Sequence, residues 1–228
     1  MHATALLLAL LMTLVLTPIA SQAACTDQAK AGVDWNKCEK QRLRLPKADL
    51  RNAKIVEADL EGTDLANANL TGANLSQTSL DRVRFSGADL TGANLVEIKA
   101  YRSNFSGARL IGANLTKAEL MRANLKLADL TNANLEKVEF MRASLEGANL
   151  TGANLTGADM ARANLSNAKI GGAKLTNARF FRTRLEGVDL SGTLGLTQPQ
   201  LDSACGSSQT RLPAGLKPGA AWPCAKEQ

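Results

Sequence analysis

Residues 66–75 read ANANL TGANL and residues 161–165 read ARANL, so that a large apolar residue closes each group of five and Ala stands two places before it. Followed outward, this phase holds from Leu45 to Leu190 without an insertion or a deletion. Of the thirty quintet centres it defines, twenty-nine are Leu, Ile, Met or Phe, and Ala100 is the exception. The place two before the centre is Ala in 21 of the 29 quintets centred on 50 through 190, and Thr, Ser, Val or Ile in the rest. Each quintet therefore offers one large and one small group for burial.

A period of five matches neither the helical repeat of 3.6 nor the strand repeat of two. The chain has to turn once per quintet. The places after each centre are rich in Gly, Asn, Ser and Thr, which accept tight turns, while an apolar pair two residues apart suits a short extended segment with both side chains on one side. No quintet can bury its pair alone, so neighbours must stack, which is the logic of a solenoid.

These A-(D/N)-L-x-x groups resemble the pentapeptide repeat family over about two thirds of the chain. The resemblance implies an all-β fold, a right-handed quadrilateral β-helix with four quintets per coil and the large and small residues lining a square interior. A twenty-residue super-period supports four quintets per coil. Arg82, Arg102, Arg122, Arg142, Arg162 and Arg182 recur at that interval, each two places after a centre. Asp81, Tyr101, Met121, Met141, Ala161 and Phe181 precede them and form a second, mostly apolar column expected to face outward. The repeat predicts about seven coils and a rod of roughly 35 Å at the strand spacing.

Two interior details follow. Phe85 falls under Phe105, and beside them Ile98 occupies a small-residue place while Ala100 occupies a centre. The exchange keeps the layer's volume nearly constant and predicts a core adjustment or slight bulge at VEIKA. Asn74, Asn94, Asn114, Asn134 and Asn154 share one column, where stacked amides bond along a β-stack, so they are read as structural.

The termini suggest the compartment. Residues 5–17 are apolar and are followed by Pro18 and the small residues ASQAA. That run is too short for a membrane span and predicts a signal peptide over 1–23, with Ser21 and Ala23 at the places that require small residues. No membrane span is expected after its removal. A lipid anchor on Cys25 ranks below simple cleavage, because Gln22 stands where an apolar residue is usual. The four Cys flank the repeats, two on each side. In an oxidising compartment this grouping predicts Cys25 with Cys38 and Cys205 with Cys224, out of three formal pairings. The organisation is then a signal at 1–23, an N-terminal cap at 24–44, the β-helix at 45–194, and a C-terminal cap and tail at 195–228. In that cap, Thr197 opens a short helix, with Leu201 and Ala204 to cover the last coil.

Function is bounded mainly by what is missing. The sole His is His2, within the expected signal, which removes His-based acid/base, nucleophile and metal chemistry from the mature chain. No phosphate loop is present, and an unbroken repeat leaves no long loop in which to build a pocket. The chain is read as a non-enzyme without cofactor or metal. Its candidate working surface is the strip of six Arg with Tyr101, Met121, Met141 and Phe181, a composition enriched in interface cores. Glu119, Glu139 and Asp159 are expected to pair with Arg122, Arg142 and Arg162 on their own coils. Opposed to this stands a packing role, in which Arg stems cover the apolar column. A basic collar of Lys169, Lys174, Arg179 and Arg184, with no acid between Asp159 and Glu186, offers a second surface, for anionic lipid head groups or polysaccharide. The expected role is a binding or scaffold protein of the bacterial envelope, with a protein partner or a second copy. Some family members imitate duplex DNA to protect type II topoisomerases, which needs an acidic surface; at net charge +6 this chain lacks one, and its export argues against nucleic acid.

Overall fold

The computed structural model describes residues 25–224. The expected signal at 1–23 lies outside the described residues.

Each quintet turns one corner, and every coil of four quintets stacks on the next through parallel bridges twenty residues apart, from Asp34↔Lys54 to Asn164↔Arg184. Every backbone N–H of a typical quintet has a partner. Leu50 and Asn52 donate to Asn69 and Thr71 of the coil above, at 2.7 and 3.0 Å, and Ala53 closes the turn on Leu50 at 3.1 Å. Asn69 donates back to Ala48 at 2.9 Å. The fifth N–H, on Thr71, is taken by the side-chain oxygen of Asn69 at 3.1 Å. Asp59, Asp64 and Asp159 serve Glu61, Ala66 and Ala161 in the same way, at 2.9–3.0 Å. This explains the D/N of the repeat: the carboxylate or amide completes the accounting of backbone donors.

Two places after each centre from Trp35 to Leu185 the backbone is left-handed, as the second residue of a type II turn requires. This holds for residues of every kind, including Arg122 at φ 59°, Lys137 at 55° and Leu127 at 58°. Leu127 has nothing to gain there, being 74% exposed. Leu127→Asn should raise stability by about 1 kcal/mol, since Asn tolerates this region better; an unchanged or lower denaturant midpoint would count against it.

Inside, the centres and the small residues are buried from Leu50 to Leu190. Phe85 and Phe105 stack with centroids 4.9 Å apart. Ile98 and Ala100 are both fully buried, and Lys99 bridges Ser79 below and Glu119 above in the normal register. The exchange of large and small is present and the slight bulge is not. Where Thr or Ser takes the small place, its hydroxyl donates to a carbonyl one coil down, as from Thr63 to Lys40 and from Thr183 to Met160, both at 2.7 Å. The Asn column is joined by Asn94 to Asn74 at 2.9 Å and Asn154 to Asn134 at 3.1 Å. It is interrupted at Asn114, where Asn134 donates to Thr116 instead.

At the N-terminal end the bridges start at Asp34, within the segment read from sequence as cap. Val33 and Trp35 are buried as a small residue and a centre, and the next centre is Lys40. Its ammonium lies 4.5 Å over the Trp35 ring and 3.5 Å from the Asp27 carbonyl oxygen, so the charge escapes at the open end of the core. Cys25 and Cys38 are bonded, which occupies the sulfur that a lipid anchor would need. At the other end helix α1, Gln198–Asp202, follows Thr197. The Gln200 amide donates to the last-coil carbonyls of Leu175 and Ala178, both at 2.8 Å. Leu201 and Ala204 are buried, and Cys205–Cys224 ties the tail back across the cap. Among the described residues, no helix is long and apolar enough to cross a membrane.

Candidate interaction surface

Because coils repeat every twenty residues, one corner of the rod collects the six Arg, and the same corner begins with Arg42 and is interrupted by Gly62. All six occupy the left-handed place, at φ between 55° and 59°. The corner just before it in each coil is unlike it, carrying Glu57, Gln77, Glu97 and Lys117 at the corresponding places, while the opposite corner, between Arg109 and Gly112 and its stacked equivalents, uses only Asn and Gly from Asn52 to Gly172. An L-residue held in this region costs on the order of 1 kcal/mol relative to Gly. The Arg corner therefore carries side chains that the turn itself does not favour.

The column beside it is less open than expected from sequence. Tyr101, Met121 and Met141 are half-buried and Ala161 is buried, because neighbouring coils cover one another; Phe181 alone in this column is a large exposed apolar residue, at 45%. The guanidinium of Arg102 lies 4.9 Å from the Tyr101 ring centre, and that of Arg182 lies 5.3 Å from that of Phe181. Arg82 pairs with Glu61 at 2.8 Å.

The pairs expected within coils do not form. Among the described residues, no carboxylate lies within salt-bridge distance of Arg122, Arg142 or Arg162, and Asp159 pairs with Arg179 at 3.2 Å. Most ion pairs here run along the rod, between residues one coil apart, as in Arg84–Asp64, Lys117–Glu97 and Lys126–Glu146. Adjacent coils are only about 4.8 Å apart, whereas Glu119 and Arg122 are separated by a corner. Such pairs depress carboxyl pKa values: the Arg84 guanidinium lowers that of Asp64, and hydrogen bonds from Arg51 bring that of Asp49 to about 2.

The collar resolves into one basic residue per side of a single coil, at Lys169, Lys174, Arg179 and Arg184. Two are neutralised, Arg179 by Asp159 and Arg184 by Glu186 at 2.9 Å. Lys169 and Lys174 stay exposed. Among the described residues there is no free Cys and no group of His, Cys, Asp and Glu able to hold a metal ion.

The match to a known repeat family agrees with this architecture. The family description "Pentapeptide repeats" matches in eight copies, in overlapping segments from 44–80 to 158–194. No curated protein matches the chain. Among solved structures, the chain is similar to HetL, a pentapeptide repeat protein involved in heterocyst differentiation regulation from the cyanobacterium Nostoc sp. strain PCC 7120, at 26% identity over 85% of this chain and 95% of that one, with a TM-score of 0.40. It is similar to a pentapeptide repeat protein of the Arabidopsis thaliana thylakoid lumen at 30% identity, over 45% of this chain and 74% of that one, with a TM-score of 0.42. A third is QnrB1, a plasmid-mediated fluoroquinolone resistance protein, at 17% identity over 77% and 94% of the two chains, with a TM-score of 0.39. The repeat match spans well over half of the residues, and the chain belongs to the pentapeptide repeat family, whose fold is the right-handed quadrilateral β-helix.

Proposed function

We propose that this protein is a non-catalytic docking scaffold of the bacterial envelope, exported and oxidised, that holds a protein partner along the Arg corner and its apolar column. The observation that carries this reading is the left-handed backbone at all six Arg. A corner shaped only by folding would favour Gly or Asn there, as between Asn52 and Gly172. The three central Arg also lack carboxylate partners among the described residues, which leaves their donors free for a partner. Export is supported by the two disulfides and by the apolar run at 5–17.

Adsorption of anionic polymers to the collar is the weaker reading, since ion pairs already engage half of it. The test is capture from an envelope extract with the mature protein as bait. Arg122→Glu, Arg142→Glu and Arg162→Glu together should reduce recovery of the partner at least tenfold with the melting temperature kept; undiminished recovery would overturn the role of the strip.

A further inference from the structure

On the coils centred on Leu120, Phe140 and Met160, the chain order around the corner is acid, apolar, Arg: Glu119, Met121, Arg122; Glu139, Met141, Arg142; Asp159, Ala161, Arg162. Three parallel columns therefore run along the rod, one negative, one apolar and one positive, with about 4.8 Å between levels. Glu119 and Glu139, like Arg122, Arg142 and Arg162, have no ion-pair partner among the described residues. Unpaired charges of both signs, half-buried at Glu119 and exposed at Glu139 and the three Arg, stand on these coils, apart from Asp159 held by Arg179, and the corner keeps them from reaching each other.

A partner of one sign does not suit this strip. An acidic segment laid on the Arg would face Glu119 and Glu139, and a basic one would face the Arg. Strand addition is also closed off, because the bridging donors of these coils, at Glu119, Leu120, Glu139 and Phe140, are already used within the rod. What fits is a surface with both signs at the same height along the rod and in the reverse order across it.

A second copy, turned by a two-fold axis parallel to the rod, has that arrangement. The rotation reverses the order across the strip and leaves heights unchanged. Arg122 then meets Glu119 of the other copy, Arg142 meets Glu139, and Arg162 meets Asp159, each twice by symmetry, with Met121 and Met141 against their counterparts. A two-fold axis across the rod would set Arg against Arg. We propose that the strip is a self-complementary contact, joining two copies side by side and parallel.

The patch ends where like charges begin. Lys99 accompanies Arg102 on the coil below and Arg179 accompanies Arg182 on the coil above, so only three coils match. Such a patch falls short of a standard interface of roughly 1,600 Å², and the dimer is a weak one that loosens with salt.

The proposal rests on the strip being the working surface, and two measurements separate them. In sedimentation equilibrium at low salt, the mature protein with its disulfides intact should show a concentration-dependent dimer. A Glu119→Arg/Glu139→Arg variant and an Arg122→Glu/Arg142→Glu variant should each dimerise at least tenfold less tightly, because two of the three matched pairs become repulsive. Mixed together they should form a heterodimer, and the chain carrying all four substitutions should regain the homodimer. Recovery in the mixture also shows that both variants are folded. A monomeric wild type, a mixture that stays monomeric, or single-sign variants that dimerise like wild type would overturn self-association. If the wild type is monomeric while the triple Arg reversal still abolishes capture of an envelope protein, self-association fails and the docking role stands; if neither dimer nor capture responds to these charges, both fail.

Discussion

Loss of the Cys205–Cys224 bond is expected to cost about 3 kcal/mol, the loop-closure value for a separation of 19 residues. The double substitution Cys205→Ser/Cys224→Ser should show it as a lower midpoint in guanidinium. The effect is large because the bond holds the tail over the end of the rod that helix α1 covers. Gly206 lies so close to the Trp222 ring that an added Cβ would stand 2.6 Å from it, and Cys224 donates to Gly206 at 3.0 Å. Freed from the bond, this layer can lift away from Leu201 and Ala204, and repeat rods unravel from their ends. Aggregation of the variant on storage would accompany the change, through the uncovered core. A midpoint within error of wild type would show that Gln200 and Leu201 alone secure the cap.

The second large effect concerns the exchanged layer. Ile98→Ala should destabilise by about 2–5 kcal/mol, since a fully buried side chain is removed from a wall that the stacked coils hold in place. Ala100→Leu alone should cost about 1–3 kcal/mol by overfilling the same layer beside the stacked Phe85 and Phe105 rings. Made together, the two restore the ordinary large-centre, small-neighbour order and should cost less than Ile98→Ala alone. Additive losses in this double-mutant cycle would mean that the two positions do not share a volume.

The interior was legible because packing leaves few choices: one Leu and one Ala per quintet can be read from spacing alone. The first coil was not, because Lys40 breaks the row of apolar centres. Only the structure shows its ammonium leaving through the open end over Trp35. The left-handed corners were hidden for another reason. Arg, Lys, Glu and Leu share those places with Gly and Asn, so composition blurs a turn type that the backbone imposes uniformly. Charge pairing was hardest to foresee. Glu119 and Arg122 are close in sequence, but the distance that matters is the one between coils, and it selects residues twenty apart, as Asp159 and Arg179 show.

The four-sided coil has a consequence for how such a chain can change length. Twenty added residues lengthen the rod and leave every column aligned. Five added residues keep the interior equally well filled, yet they rotate everything above the insertion by a quarter turn. A quintet placed between Leu130 and Leu135 would leave Arg122 on its edge and carry Arg142 and Arg162 round to the next. The fold counts in fives and any surface written along its side counts in twenties, so growth that is neutral for folding can cut a recognition site in two.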